Sequence, residues 1–537
     1  MKIIAYYIRR VVCPGSIFIM FIFTGCKKWV DVNYDPNLLA ESSATPDLLL
    51  SPVLENSAPL HGQLLDNWMG YTCSPFPVGG YFEQTYNLTP SFGAGELASA
   101  TIRTCRVIEK KSMATSQTFY LGIAKLMRAL AFSNGVDQLN NIPYTQCGDP
   151  VNFQYPQYED AKLIYEDLIR VLDTAIHFIK NADPDKNLNI SRADIMFHSN
   201  KNKWIKFANT LKLRLLIHQA NRSDRTGYIQ NVMGGIQSEG SGFLASGEDA
   251  AVNPGYKETD PNPFYNYFGF LPSGLSGQGS ESGRANVTAM NILKSNNDPR
   301  LGFFYNKIEQ PVPIGAPEPF AQPQPSDYRG NKYGFQFDTR FFMFQSAPFV
   351  SRIGGLTVHG PVTPSSSGLI KGYDMDQWVL TSVESLFLQA EAIFRGWIPG
   401  DAKTAYQNAV RESFRWLNVG GNRNDLSLSN QVFTNWYNAQ DAANNINVSW
   451  DDAPDKYKLL MFQKYIAMNG LNSQETWTDY RRNGGYSFIP LSDDPGRISS
   501  TLPVRFPYSA SEYKINHANV TAQGEINVFT SKIWWMP

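Results

Sequence analysis

The sequence predicts a mainly α-helical fold in which tetratricopeptide-like helical hairpins form a scaffold and a loop-rich layer is built onto it. Apolar residues at helical spacing recur before and after a central tract, and one pair of such stretches is joined by a short turn of small and polar residues. The tract between them, about residues 223–382, is rich in Gly, Pro, Ser and aromatics and carries few helical stripes. A structureless loop of that length is foreign to a compact domain, so short helices and strands are expected within it.

Each element has its own signal. Tyr120 to Asn134 is apolar with small residues interspersed, which suits a buried helix. From Glu159 to Lys180, the residues Ile164, Leu168, Leu172, Ala175, Ile176 and Ile179 form an apolar stripe; Trp204 to Gln219 repeats it with Phe207, Leu211 and Leu215. Val383 to Gly396 ends in a glycine suited to the left-handed position that closes a helix. Asp401 then supplies an N-cap, and Ala402, Ala405, Tyr406, Ala409, Val410 and Phe414 mark a returning helix. Small residues on both helices allow close antiparallel contact. Phe335 to Phe344 alternates in part like a strand and reads as buried.

The N-terminus carries Lys2, Arg9 and Arg10 and then an almost wholly apolar or small run from Val11 to Gly25. As a helix that run is roughly 23 Å long, short of the roughly 30 Å hydrocarbon core of a bilayer. Residues 1–25 therefore read as a signal peptide. Phe23-Thr24-Gly25-Cys26 resembles the bacterial lipobox, with Phe23 where an aliphatic residue is usual. The resemblance implies cleavage before Cys26 and acylation of its thiol, so that the protein is tethered to a membrane through lipid. At about 0.8 kcal/mol per buried CH₂, two or three acyl chains hold such a protein lastingly. Residues 26–45, polar and including Asn33, Pro36 and Asn37, read as the tether, which leaves residues 46–537 as a single domain.

Composition narrows the function. An aromatic share of 13% with only 18% charged residues describes a globular chain. Without the three cations of the signal the formal charge is about −4, which gives no basic footprint for nucleic acid. Apart from Cys13 in the signal and Cys26, the cysteines are Cys73, Cys105 and Cys147. Their spacing is neither a disulfide framework nor a zinc pattern; one bridge and buried thiols both stay open.

Several blocks then line up in order. Ala124-Lys-Leu-Met-Arg-Ala-Leu-Ala-Phe132 runs on to Val136-Asp137 and Asn141-Ile142-Pro143-Tyr144, followed by Pro156-Gln-Tyr-Glu-Asp160 and Trp204 to Arg214. Asp298-Pro299-Arg300-Leu301, Ala390-Glu391-Ala392, Gln463-Lys464-Tyr465 and Trp477-Thr-Asp-Tyr-Arg481-Arg482 complete the series. This order resembles that of SusD/RagB-type nutrient-binding outer-membrane lipoproteins and covers most of the mature chain. Asn140-Asn141 stands where that family commonly has Gly-Asp, and Lys27-Lys28 where surface-exported members often carry acids. The resemblance implies a tetratricopeptide-like helical fold with a looped, ligand-facing layer. It also implies a nutrient-capturing partner of a SusC-like TonB-dependent transporter in the outer membrane of a Bacteroidetes-type bacterium, exposed at the cell surface.

No catalytic constellation stands out. His61, His177, His198, His218, His359 and His517 are dispersed, and no His-Glu-x-x-His pair occurs. The glycine-rich run Gly274 to Gly283 matches neither a phosphate loop nor a nucleophile elbow and reads as a flexible loop. Arg481 and Arg482 could grip an anion, but pairing with scaffold acids is the simpler role. Asp183, Asp185, Asn187, Ser191 and Asp194 fall at calcium-loop positions, yet Leu188 replaces the turn glycine, so a polar interhelical turn explains them as well.

Aromatics are the more useful signal, because a sugar ring presents apolar C–H faces that stack on Trp, Tyr or Phe. Two loop stretches qualify, Trp68 to Tyr86 and Phe264 to Phe270, and from them Tyr81, Phe82, Tyr265, Tyr267 and Phe268 are the candidate ligand-binding residues. The expectation is a non-catalytic, cofactor-free lipoprotein that binds a nutrient, a glycan oligomer before a peptide. A lipid-anchored hydrolase of glycans or peptides is the alternative, since two acids at a catalytic separation leave no mark in sequence spacing. A ligand-free helical adaptor is the third.

Overall fold

Helix caps decide where the scaffold elements begin. In a computed structural model that describes residues 44–58, 63–73, 82–92, 97–311, 327–335, 348–355 and 358–537, side chains at the N-caps accept from the first helical turn. Asp160 takes Leu163 N at 3.0 Å, Asn200 takes Lys203 N at 3.1 Å, and Asp401 takes Thr404 N at 2.8 Å. Among the described residues, twelve helices have nine or more residues. They are α1 (Pro46–Asn56), α2 (Ser99–Ala114), α3 (Thr118–Leu139), α4 (Ala161–Lys180), α5 (Lys201–His218) and α6 (Thr226–Glu239). After these come α7 (Val287–Ser295), α8 (Ser382–Phe394), α9 (Ala402–Trp416), α10 (Leu426–Ala442), α11 (Lys456–Ala467) and α12 (Ser473–Arg482).

Residues Pro46–Pro537 form one unit. Helices α2 to α5 pack each on the next, α5 continues onto α8, and α8 onto α9 and α11. Small residues set the spacing: a β-carbon on Gly122 of α3 would lie 2.6 Å from Ile179 Cγ1 of α4. The expected α8–α9 hairpin is present. Gly396 closes α8 at φ +74°, and Trp397 N returns to Ala392 O at 2.8 Å, as a Schellman ending requires.

Strands are short: β1 (Thr72–Cys73), β2 (Ile142–Pro143), β3 (Tyr158–Glu159), β4 (Ala250–Val252), β5 (Arg284–Ala285) and β6 (Gln377–Leu380). They pair antiparallel as β1 with β5, β2 with β3, and β4 with β6. The central tract is thereby stitched to the scaffold, since β4 and β6 bracket most of it and β5 reaches back to the N-terminal part. It holds α6, α7 and shorter helices, as its length requires. The strand expected at Phe335–Phe344 falls largely on residues outside those described.

Polar residues knit the helices through the core. His218 of α5 lies between Asp137 of α3 and Glu475 of α12, with Nε2 2.9 Å from Glu475 Oε2 and Nδ1 3.4 Å from Asp137 Oδ2. Tyr165 of α4 donates to Asp137, and Trp535 Nε1 donates to Asp137 Oδ1 at 2.9 Å. Burial lowers the His218 pKa, but the two carboxylates outweigh it and raise it to about 9. Cys73, Cys105 and Cys147 are buried thiols.

Candidate functional site

The loop-borne aromatics divide by what lies beneath them. Asn262 Oδ1 accepts Tyr265 N at 2.9 Å and opens a single π-type turn, Tyr265–Gly269, which carries three of the candidate residues. Tyr265 is 1% exposed; its hydroxyl accepts Gly360 N at 3.2 Å and its ring lies 6.3 Å from both Phe270 and Tyr373. Phe268 is 3% exposed, 4.8 Å from Phe264. Both rings belong to the core and offer no face to a ligand. Tyr267 is half-buried, edge-on to Phe268 at 4.8 Å. Phe82 opens the short helix Phe82–Thr85 and is 50% exposed. Tyr81 and Cys26 lie outside the described residues.

The glycine-rich run explains why those rings are buried. Instead of a flexible loop, it includes a short helix, Gln278–Ser282. A β-carbon on Gly279 would overlap the Tyr267 ring and come within 2.9 Å of Phe268 Cδ1, and one on Gly283 would lie 2.7 Å from Phe268 Cε1. Glycine is needed there for close approach of backbone to ring.

A second aromatic group, which the sequence reading missed, lies elsewhere in the chain. Helix α11 and the segment after α12 enclose a cleft of about 410 Å³. Tyr457, Lys458, Met461 and Phe462 line it from one face of α11, and Asn483, Tyr486, Ser487 and Phe488 from the opposite segment. Gly484 and Gly485, at φ +74° and +100°, turn the chain between α12 and these rings. Tyr486 and Phe488 stack at 5.2 Å with planes 12° apart, and Phe488 meets Phe462 at 5.2 Å and Tyr465 at 4.8 Å. The run Asn483-Gly-Gly-Tyr-Ser-Phe488, a glycine turn followed by alternating aromatics, is the signal that could have found it.

Beneath the cleft is a buried ion network. Arg482 Nη2 lies 2.6 Å from Glu391 Oε2, both fully buried, and the same guanidinium pairs with Asp479. Burial works to raise the Glu391 carboxyl, yet the charge and hydrogen bonds of Arg482, helped by Arg395, bring it down to about 2. The Tyr457 hydroxyl joins this network. It lies 2.8 Å from Asn483 Oδ1 and 3.2 Å from Glu391 Oε1, and it accepts from Arg395 Nη2 at 3.0 Å and Arg482 Nη1 at 3.1 Å. At the rim, Asp455 caps α11 by accepting Lys458 N at 3.0 Å, and its carboxylate lies 3.4 Å from Lys458 Nζ.

Other sequence candidates prove structural. Asp194, the acid of the calcium-like run, accepts from Met196 N, Phe197 N, Ser199 N and Trp204 Nε1, while Asn187 Oδ1 accepts Phe119 N. This is the polar-turn reading of those residues. No group of three or more His, Cys, Asp or Glu able to hold a metal occurs among the described residues. Arg481 lies 3.5 Å over the Trp477 ring and donates to the carbonyls of Asp137 and Val504.

Residues 38–509 match the profile of a SusD-like family described as starch-binding and associating with the outer membrane. The chain belongs to this family. Solved SusD-like structures carry the same fold. A chitin-binding SusD homologue from Flavobacterium johnsoniae matches with a TM-score of 0.70 at 19% identity, over 91% of this chain and 98% of its own. A SusD homologue from Bacteroides fragilis matches with a TM-score of 0.68 at 18% identity, over 92% of this chain and 99% of its own. A SusD/RagB family protein from Bacteroides thetaiotaomicron gives 0.67 at 19%, with 92% and 99% covered. No curated protein matches the chain in sequence. The protein is thus a mainly α-helical, tetratricopeptide-like SusD-family member, of a nutrient-binding family associated with the outer membrane.

Proposed function

We propose that this SusD-like protein is a non-catalytic lipoprotein, anchored through Cys26 to the outer membrane at the cell surface, that captures a glycan oligomer and delivers it to a SusC-like TonB-dependent transporter. The family match over residues 38–509 carries the reading. The chitin-binding name of a structural relative supports a saccharide ligand, and the lipobox-like Phe23 to Cys26 supports the anchor. No helix among the described residues is long and apolar enough to cross a membrane.

Tyr81, Phe82 and Tyr267 are the stacking residues we assign to the ligand. Tyr265 and Phe268 support this by fixing the turn that carries Tyr267.

Affinity electrophoresis against soluble glycans, together with pull-down from detergent-solubilised outer membranes, tests the reading. Retardation by at least one glycan and recovery of a β-barrel of the TonB-dependent class are expected. Recovery of no such barrel would refute the partnership, and release of shorter oligosaccharides on incubation would replace capture with hydrolysis.

A further inference from the structure

The cleft between α11 and the 483–488 segment has features that packing alone does not require. Its rings are half-buried, not closed over, and two of them lie nearly parallel. Its volume of about 410 Å³ sits in the lower part of the roughly 300–1,000 Å³ range of small-molecule pockets, suited to one or two rings. The tyrosine at its base is immobilised through its hydroxyl by Asn483, Glu391, Arg395 and Arg482, so one wall of the cleft is rigid before anything enters.

The lining also selects a chemistry. Among the described residues, the charged side chains lining it are Asp455 and Lys458, which pair with each other at 3.4 Å at the start of α11, so the lining has no net charge with which to hold a phosphate, sulfate or uronate. The Asn447 side-chain amide and the Ser487 hydroxyl are exposed at the cleft and make no side-chain hydrogen bond to another described residue. Rigid aromatic faces flanked by an available amide and hydroxyl fit a ring with an apolar C–H face and a hydroxyl edge. A purely apolar occupant would leave those polar groups unmatched at the rim.

We infer that this cleft is a second carbohydrate site, which stacks a neutral pyranose unit on Tyr486 and Phe488 and is separate from the loop-rich layer. It shares no lining residue with Phe82 or the Tyr265–Gly269 turn. The inference rests on the reading of the protein as a glycan binder and adds to it a two-point grip: one oligosaccharide chain, or two branches, held at two places. With weak individual sites, two-point attachment raises the overall hold by effective concentration alone.

Isothermal titration of the full protein with neutral oligosaccharides of glucose, N-acetylglucosamine, xylose and mannose tests it. Two variants probe the cleft: Ser487→Trp, which places an indole over the opening from an exposed position, and Phe488→Leu, which removes the aromatic face but keeps bulk. A third, Phe82→Ala with Tyr267→Ala, probes the loop layer. Far-ultraviolet dichroism and thermal melting establish that each is folded. The expected result is two sites per chain in the unaltered protein; either cleft variant removes one of them or weakens it by about tenfold or more, while the loop variant leaves it in place. Unchanged stoichiometry and affinity in both folded cleft variants would overturn the second site and leave glycan capture standing. Absence of binding to every oligosaccharide by the unaltered protein would overturn both.

Discussion

The loop-rich layer and the α11 cleft are both dense in aromatic side chains, yet in one the backbone packs onto the rings and in the other a void lies beside them. In the layer, Tyr267 and Phe268 lie against Gly279 and Gly283, whose missing side chains let the backbone come down onto the rings. In the cleft, Gly484 and Gly485 have the opposite effect: they swing the chain away from α12, and Tyr486 and Phe488 stand at its edge with a void beside them. The same residue type therefore packs backbone onto one aromatic group and leaves space beside another, according to whether it is used for close approach or for a turn. Aromatic density on a loop does not identify a platform; the residue facing the ring does.

Five substitutions and one titration would break or sharpen that contrast. The largest effect is expected below the cleft, where Arg482→Met leaves Glu391 and Asp479 buried without their main counter-charge. It should cost about 3–5 kcal/mol in urea denaturation, and a loss below about 1 kcal/mol would show that the network does not support the cleft wall. Phe268→Ala should cost roughly 3 kcal/mol although the residue sits on a loop; a surface-like value would return Phe268 to the ligand face. Raising the pH tests the scaffold beneath both regions. Because the folded-state pKa of His218 is lifted to about 9, its contribution is fully present below the unfolded value near 6.5 and is lost as pH climbs through 9. Stability should fall by on the order of 2 kcal/mol between pH 7 and 10, and His218→Gln should flatten that part of the profile. Gly279→Ala, which drives a methyl group into the Tyr267 ring, should cost about 1–2 kcal/mol. Phe82→Ala should change stability by less than about 0.5 kcal/mol while weakening glycan retardation, which separates a contact residue from a core one.

Local signals were the legible part of the fold. Gly396 and Asp401 mark the α8–α9 turn because capping is settled within a few residues, and the Ile164–Ile179 stripe marks α4 because its period belongs to one helix. The family blocks turned out to be scaffold: Arg300 of the Asp-Pro-Arg block is fully buried on Asp298, and Arg482 on Glu391. What was hidden depends on partners distant in sequence. Pairing of Ala250–Val252 with Gln377–Leu380 leaves no trace in either strand alone. The burial of Tyr265 and Phe268 depends on Gly360 and on Gly279 and Gly283, so choosing them as ligand contacts from their loop setting could not succeed. The cleft was missed for a related reason, since Tyr457 and Tyr486 acquire a joint meaning only when α11 and the turn after α12 come together.

The polar cluster around Asp137 bears on how the chain reaches this state. Its members, Asp137, Tyr165, His218, Glu475 and Trp535, come from positions so far apart that no contiguous half of the sequence contains them all. A partly synthesised chain would hold Asp137 and His218 without Glu475, and burying them in that state would be costly. The cluster is therefore complete only once α12 and the C-terminal segment are in place, and a chain lacking them gains nothing by closing over Asp137 and His218.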